Sequence, residues 1–327
     1  MRMRTASYRR RRQSRTYGSR GGILAVHAIL CLAVFFALFG FAWYMYGPFE
    51  PLRAAGLPFL GVQAAATAQA APTPAPTQEQ TPEPSASQTA LAPQALSYVE
   101  VKDIAQGKFK GKLMLVLDPS KIAVGVTPYL QDAGLPLSQL VEAAGAAGGV
   151  NAGGFAGYDG TGGLPEGIVI ADGKIVFQQS GATTYQVTGL NTENKLVVSS
   201  GVTAAQLDGL KLRCAVSAGP ALITDGKAAT VTDTSEDPRT AIGQAQDGTV
   251  LLLVIDGRSE DSAGADLKSV QQILLENGAV TAATLNGGSS TTMNYLGKTL
   301  NNPCNISGER SIATAFVVMP GGDGNAG

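Results

Sequence analysis

Apolar residues form short runs separated by turn residues along most of residues 98–320. Runs of this length are typical of β-strands. The predicted strands are 113–117, 122–126, 168–170, 175–177, 196–198, 250–255, 279–285 and 312–318. Asp-Gly pairs at 172–173, 225–226 and 247–248 lie between such runs. They predict tight hairpins, because glycine accepts a positive φ without steric cost.

Two other stretches place their apolar residues at helical spacing. One face of the first predicted helix carries Leu137, Leu140, Val141 and Ala144. One face of the second carries Leu267, Val270, Ile273 and Leu274. These helices are predicted to end at Gly148-Gly149 and at Asn277-Gly278 respectively. Helices and hairpins interleave, so we predict an α+β fold in one domain, residues 98–320, with mixed sheets and hairpins packed against a few helices.

The first 46 residues have a different pattern. Residues 1–22 contain eight arginines and no acidic residue, and residues 23–46 form an apolar run. As a helix this run is roughly 36 Å long, enough to cross a bilayer. The preceding arginines predict a cytoplasmic N-terminus and an extracytoplasmic remainder, attached to the cell membrane by a single-pass anchor. A cleaved signal peptide is the alternative, because sites resembling Ala-x-Ala occur at 64–70.

Composition separates the flanking segments from the domain. Residues 47–97 are rich in Ala, Pro, Thr and Gln and predict a disordered linker, and residues 321–327 predict a flexible tail. Beyond residue 22, sixteen basic residues stand against 25 acidic ones. This balance argues against a nucleic acid partner. The basic N-terminal segment is instead expected to face anionic lipid head groups.

Several kinds of chemistry are excluded by the residue inventory. The single histidine is His27, inside the predicted span, so a Ser-His-Asp triad or a histidine zinc site is excluded in the domain. Neither Ser-x-x-Lys nor Gly-x-Ser-x-Gly occurs. Catalysis would depend on carboxylates, amides, hydroxyls and arginine. Cys214 and Cys304 either form a disulfide or remain two thiols, whereas Cys31 lies in the span.

Six segments in order carry a specific resemblance. They are VNAGGF (150–155), GPALITDGK (219–227), DPRTAIG (237–243), VIDGR (254–258), LNGGSSTTM (285–293) and GERSIATAFVV (308–318). This pattern resembles the phosphodiester glycosidase family, whose bacterial members include exopolysaccharide-related proteins. The resemblance implies hydrolysis of a glycosyl-1-phosphodiester to a free sugar and a phosphomonoester. Where the family usually has Leu-Asp-Gly-Gly, this chain has Asn286, so an amide replaces the expected carboxylate.

The resemblance and the residue types together predict the site. The predicted catalytic residues are Asp256, Asn286 and Asp159. The predicted substrate-binding residues are Asn151, Gly153, Gly154, Arg239, Thr240, Arg258, Gly287, Gly288, Ser289, Ser290, Glu309 and Arg310. The glycines and hydroxyls at 287–290 let a polar ligand approach the main chain closely, although a plain Gly/Ser turn is the simpler interpretation.

Each charged candidate has a structural alternative. Arg239 is predicted to clamp phosphate, or else to pair with Asp237 or Asp256. Asp256 is either functional or paired with Arg258. Asp159 is a second carboxylate or an ordinary Asp-Gly turn residue.

Two further interpretations concern Asn151 and the adjacent residues Glu309 and Arg310. Asn151 orients sugar hydroxyls or forms a turn. Glu309 and Arg310 are predicted to form an ion pair that supports the site.

Two functions remain open. The first is a membrane-anchored extracytoplasmic hydrolase that acts on glycosyl-1-phosphodiesters of the GlcNAc-1-phosphodiester type in cell-envelope or exopolysaccharide metabolism. The second is a non-catalytic scaffold of the same fold that binds envelope polysaccharide. No cofactor is predicted. A third hypothesis, calcium or magnesium held by Asp159, Asp256 and Glu309, lacks a dense acidic loop with metal-ligand spacing.

Overall fold

The computed structural model describes residues 95–156 and 161–321. The predicted basic segment, the apolar span, residues 47–94 of the linker, Asp159 and residues 322–327 of the tail lie outside this part. Within the described residues, no helix has the length and apolar character needed to cross a bilayer.

Antiparallel sheets dominate the described residues. The largest has seven strands in the order β1 (Val99–Gln106), β2 (Phe109–Val116), β15 (Val250–Ile255), β14 (Arg239–Ala245), β16 (Ala279–Thr284), β12 (Ala221–Thr224) and β13 (Lys227–Ala228). A five-stranded sheet has the order β10 (Leu196–Val202), β9 (Tyr185–Asn191), β11 (Leu212–Val216), β7 (Ile168–Ala171) and β8 (Lys174–Gln178).

A second five-stranded sheet has the order β18 (Lys298–Thr299), β17 (Met293–Tyr295), β4 (Gly148–Asn151), β19 (Thr314–Val318) and β3 (Ile122–Val126). A small hairpin joins β5 (Phe155–Ala156) to β6 (Leu164–Pro165). The α-helices in the described part of the chain are α1 (Leu137–Ala143), α2 (Ala204–Leu207) and α3 (Leu267–Glu276). Antiparallel sheets with a few helices confirm the broad fold prediction, with sheet more dominant than expected.

The central core lies where the three large sheets meet. Met114, Val216 and Phe316, one from each sheet, are all fully buried there. Strand β15 is buried on both faces, because Leu252 faces this central core while Leu253 packs in the separate cluster beneath α3. Burial on both faces explains why its sequence is a continuous apolar run rather than an alternating one.

The helix α3 follows its sequence signals closely. The Asp266 carboxylate caps its first turn by accepting from Ser269 N at 2.8 Å. Gly278 follows its end with a φ of 86°. Val270, Ile273 and Leu274 are buried against the large sheet. The predicted helix and its predicted end at 277–278 are confirmed.

The predicted end of α1 is wrong. The helix finishes at Ala143, and Gly145 has the positive φ, 61°, that follows it. Gly148 and Gly149 instead begin β4 between two neighbouring strands. A Cβ on Gly149 would collide with the carbonyl oxygen of Phe316. These glycines therefore permit close strand packing rather than a helix stop.

Two other sequence expectations have clear outcomes. The Asp172-Gly173 and Asp225-Gly226 hairpins are confirmed, with φ near 50° at Asp172 and 49° at Asp225. The cysteines of the domain are two free thiols. Cys214 lies in the central core, and burial raises its thiol pKa.

Candidate active site

The six sequence segments that carry the family resemblance meet at one end of the sheets. Strand pairing places Arg239, at the start of β14, opposite Ile255 at the end of β15. It also places Ala241 opposite Thr284, at the end of β16. In the neighbouring sheet, Asn151 at the end of β4 pairs with Ala315 near the start of β19. Segments far apart in sequence therefore supply one cluster of loops.

Asn151 connects three of these segments. It is 1% exposed, and its side-chain oxygen accepts from Thr240 Oγ1 at 2.8 Å and from Thr292 N at 3.1 Å. Its side-chain nitrogen donates to the carbonyl oxygen of Asn286. The predicted residues Asn151, Thr240 and Asn286 are thus brought together. The Asn151 amide holds the loop, and a direct role in sugar binding stays a prediction.

The loop 286–290 is fixed through its main chain. Asn286 N donates to the Ala152 carbonyl oxygen at 2.9 Å, and Gly288 N donates to that of Pro238 at 2.8 Å. A Cβ on Gly287 would lie 2.7 Å from the same Pro238 oxygen, and Gly288 has a φ of 63°. Both positions therefore require glycine. The Asn286 side chain donates to Ser290 Oγ at 3.4 Å.

A cleft of ≈ 400 Å³ opens beside this loop. The residues that line it include Gly154, Glu166, Gln186, Ser217, Asn286 and Gly287. A cleft of this size, with a few converging polar groups, is typical of a small-ligand site. Asn286, Gly287 and Gly154 were predicted site residues, whereas Glu166, Gln186 and Ser217 were missed.

Glu166 is the carboxylate among the described residues that line this cleft. It follows the hairpin β5–β6, and its main-chain N donates to the Gly154 carbonyl oxygen at 2.9 Å. A Cβ on Gly154 would lie 2.7 Å from Glu166 Oε2, so glycine at 154 leaves room for the carboxylate. Its sequence signal was one acidic residue at the end of a glycine-rich loop. Gly153 is not among the lining residues, and a Cβ on it would lie 3.0 Å from Thr314 Oγ1.

Asp256 supports the loop from another side. Its Oδ1 accepts from Asn301 Nδ2 and from Asn302 N, both at 2.9 Å. Asn301 also donates to the Thr291 carbonyl oxygen and accepts from Met293 N. Burial raises the pKa of the Asp256 carboxyl, and the hydrogen bonds from Asn301 and Asn302 oppose this. These contacts link Asp256 to residues 291–293, and a catalytic role for it stays a prediction.

We expect Asp256→Asn to be close to wild type in stability at pH 7, within about 1 kcal/mol, because the amide oxygen still accepts both bonds. The raised pKa means that protonation favours the folded state. The wild type should therefore lose stability relative to the variant as pH rises through that pKa. Thermal unfolding from pH 4 to 8 measures this difference. A loss of several kcal/mol in the variant at pH 7 would show that the charge itself is needed for folding.

The ion pairs predicted as structural roles for Arg239 and Arg258 are wrong in their partners. Arg258 pairs with Asp237 at 3.0 Å, not with Asp256. Arg239 pairs with Asp233 at 2.9 Å rather than with Asp237 or Asp256. Its other nitrogens donate to the carbonyl oxygens of Ala265, at 2.9 Å, and Ser235, at 2.7 Å. The Arg239 side chain is 12% exposed, so these contacts favour a structural role, and phosphate clamping stays a prediction.

Arg239→Lys is therefore expected to lower the free energy of unfolding by about 1–3 kcal/mol, since an ammonium cannot reproduce the planar contacts to three acceptors. Hydrogen exchange at residues 233–237 should become faster. Thermal unfolding and exchange measurements check both effects. Unchanged stability with a raised KM for a phosphodiester would instead support the phosphate clamp.

Arg258 and Arg310 approach the loop at Gly288 and Ser289. Arg310 Nη1 donates to Ser289 Oγ at 3.4 Å, and its guanidinium lies 4.8 Å from the centre of the Phe155 ring. A Cβ on Gly288 would lie 3.5 Å from Arg258 Nη2. Two positive side chains thus flank a loop segment made of small residues.

The predicted ion pair between Glu309 and Arg310 is wrong, because in the described part of the chain the Glu309 carboxylate binds other groups. Glu309 accepts from Ser138 N at 2.8 Å and from Thr299 Oγ1. It therefore ties α1 to the β17–β18 hairpin, because its carboxylate binds groups on both. Across residues 95–156 and 161–321, no three His, Cys, Asp or Glu side chains gather as metal ligands would.

Comparisons with known proteins bear on the family and the fold of the chain. A family model for phosphodiester glycosidases matches residues 144–319. The catalytic domain of zebrafish N-acetylglucosamine-1-phosphodiester alpha-N-acetylglucosaminidase, auto-inhibited by its pro-peptide, has a TM-score of 0.55 and 21% identity, covering 68% of this chain and 82% of that one. A protein of Burkholderia pseudomallei K96243 has a TM-score of 0.50 and 16% identity, covering 65% of this chain and 74% of that one. These two likenesses show a shared fold.

A curated relative covers a smaller region. The SPbeta prophage-derived protein YomE of Bacillus subtilis (strain 168) is 34% identical over 86 residues. That stretch is 26% of this chain and 13% of YomE, so the chain spans only a small part of this relative.

Proposed function

Because the chain belongs to the phosphodiester glycosidase family, we propose that it hydrolyses a glycosyl-1-phosphodiester to a free sugar and a phosphomonoester. Membership of this family supports a hydrolase of the glycosidase type. The zebrafish protein of similar fold is named for N-acetylglucosamine-1-phosphodiester. That name supports a bond of the GlcNAc-1-phosphodiester type as the first substrate to test.

The observation that carries the proposal is the cleft shared by Glu166 and the loop at Asn286. Cleavage at an anomeric carbon passes through an oxocarbenium-like transition state. A carboxylate near that carbon stabilises the positive charge and activates water or attacks directly. Glu166 is the acidic residue among the described cleft residues, so we assign it this role.

The leaving group in this reaction differs from that of an ordinary glycoside. A phosphomonoester already carries charge and leaves with little help from a general acid. It needs cationic or N–H donors to hold its oxygens. Arg310, beside Ser289, and Arg258, which lies beside Gly288 and also pairs with Asp237, have N–H donors in the right position for this task. We therefore place the phosphate over the loop 287–290 and the sugar in the cleft.

Asn286 is assigned a binding role in this proposal. Its side chain is an amide at a cleft position, so it orients substrate through hydrogen bonds rather than taking up a proton. Asp159 precedes Glu166 in the same glycine-rich segment and would be the second carboxylate of the reaction. This residue lies outside the described part of the chain, so its role stays a proposal.

The amide at 286 also favours a second candidate function. A member that binds an envelope polysaccharide without cleaving it would keep the fold, the glycines and the cleft while losing the loop carboxylate. The two functions differ in product release, because only the hydrolase frees a sugar. Either would act outside the cytoplasm if residues 23–46 anchor the chain, as the sequence predicts.

The test is release of sugar from synthetic GlcNAc-1-phosphodiesters of both anomers by the purified full-length protein. We expect equal amounts of free sugar and phosphomonoester from one anomer. Binding of the substrate without either product would instead support the scaffold.

A further inference from the structure

A second cleft of ≈ 340 Å³ lies close to the first. Thr230, Thr232 and Asp233 line it from the exposed segment that follows β13, and Pro220 and Leu267 line it from strand and helix ends. The volume is near the lower end of the range for small-ligand sites. Of the predicted site residues, Arg239 lines this cleft, whereas the residues to which the hydrolytic reaction is assigned, Glu166, Asn286, Arg258 and Arg310, do not.

The two clefts meet at one pair of strand ends. Gly219 and Leu285 line the first, and their neighbours Pro220 and Thr284 line the second. Thr284 N donates to the Pro220 carbonyl oxygen at 3.2 Å, which joins these two strand ends. The two clefts are therefore one residue apart along each of these strand ends.

The chemistry of the second cleft favours a neutral ligand rich in hydroxyls. Arg239, the arginine among the described lining residues, is paired with Asp233 at 2.9 Å, so its charge is compensated. Hydrogen bonds from Ser235 and Arg239 lower the pKa of Asp233 to about 2, so its carboxylate is an acceptor at neutral pH. An anionic ligand would meet that carboxylate. A neutral hydroxyl group would find both acceptor and donor partners.

The walls also match both kinds of surface on a sugar ring. Threonine hydroxyls at 230 and 232 provide polar contacts, while Pro220 and Leu267 offer apolar surface to the C–H face of a ring. Thr230 and Thr232 are solvent-exposed, so they can contact a ligand without rearrangement of the core.

We propose that this second cleft binds one neutral sugar ring of an extended glycan. Its role as a subsite of the hydrolase rests on the proposed function, whereas glycan binding in the cleft does not. The natural ligand would then be a glycan chain rather than an isolated glycosyl phosphate. Engaging two adjacent clefts raises the affinity for a long ligand over that for a short one.

The test uses Thr230→Ala/Thr232→Ala, which removes two exposed hydroxyls from the cleft, with Thr234→Ala as the matched control outside it. The probes are chitotriose, cellotriose and maltotriose, titrated into the full-length protein by calorimetry. At least one probe should bind the wild type and the control equally. The double variant should bind that probe about fivefold to thirtyfold more weakly.

Failure of the subsite and failure of the hydrolase give different results. The proposal is overturned if none of the probes binds, or if Glu166→Gln removes binding and the double variant does not, since the ligand then occupies the first cleft. Binding sensitive to the double variant supports the subsite even if no phosphodiester is cleaved. If cleavage occurs, the double variant should keep wild-type kcat on a substrate with one sugar.

Discussion

Glu166→Gln is expected to lower kcat for a glycosyl-1-phosphodiester by about 100-fold to 10,000-fold, the range for loss of a general base or acid. Glutamine keeps the size and hydrogen-bonding reach of the side chain but cannot take up a proton. Because Glu166 is exposed in the cleft, its replacement should change the melting temperature little. Steady-state kinetics and thermal unfolding of the same samples measure the two effects.

Glu142→Gln is the matched control, since Glu142 is an exposed glutamate on α1 and does not line the cleft. The control should retain wild-type kcat and KM. A Glu166→Gln variant within threefold of wild-type activity would remove Glu166 from the mechanism. The carboxylate role would then pass to another acidic residue, of which Asp159 is the first to test.

Asn151→Ala should lower the free energy of unfolding by about 2–4 kcal/mol. The substitution leaves three partners without their hydrogen bonds in a buried site: Thr240, Thr292 and Asn286. The loop 286–290 loses a tie to β4, so substrate binding should weaken as well. Urea denaturation measures the stability change.

Asn302→Ala provides the comparison for this variant. Asn302 is exposed and contributes its main-chain N to Asp256, a contact that alanine retains. The control should therefore stay within about 0.5 kcal/mol of the wild type. If Asn151→Ala were equally mild, the amide would not hold the loop as its contacts indicate.

The sequence predicts best those elements whose burial shows in local pattern. Strand β15 is apolar on both faces, and α3 has a cap, a periodic face and a closing glycine. Strand β1 was missed because it lies at a sheet edge and is mostly exposed, so its sequence mixes polar and apolar residues and forms no apolar run. Strand β4 was missed because its two glycines read as a helix stop rather than as a place of close strand contact.

The site was predicted as a set of segments, and the structure assigns their geometry. The six motifs do converge, but the partners of individual charges could not be read from spacing. Asp256 looks functional at a strand end, yet its acceptor oxygen is bound by Asn301, 45 positions further along the chain. Glu166 carried no motif of its own. Its place in the cleft comes from the β5–β6 hairpin, a tertiary feature.

The most direct test of the central claim is hydrolysis of a GlcNAc-1-phosphodiester in water enriched in the heavy oxygen isotope. Cleavage at the anomeric carbon leaves the bridging oxygen on the phosphate, so mass spectrometry should find no heavy oxygen in the phosphomonoester. Glu166→Gln should slow its release. Heavy oxygen in the phosphate would show cleavage at phosphorus. Either that result or the absence of any product would contradict the assignment of this cleft to glycosidic hydrolysis.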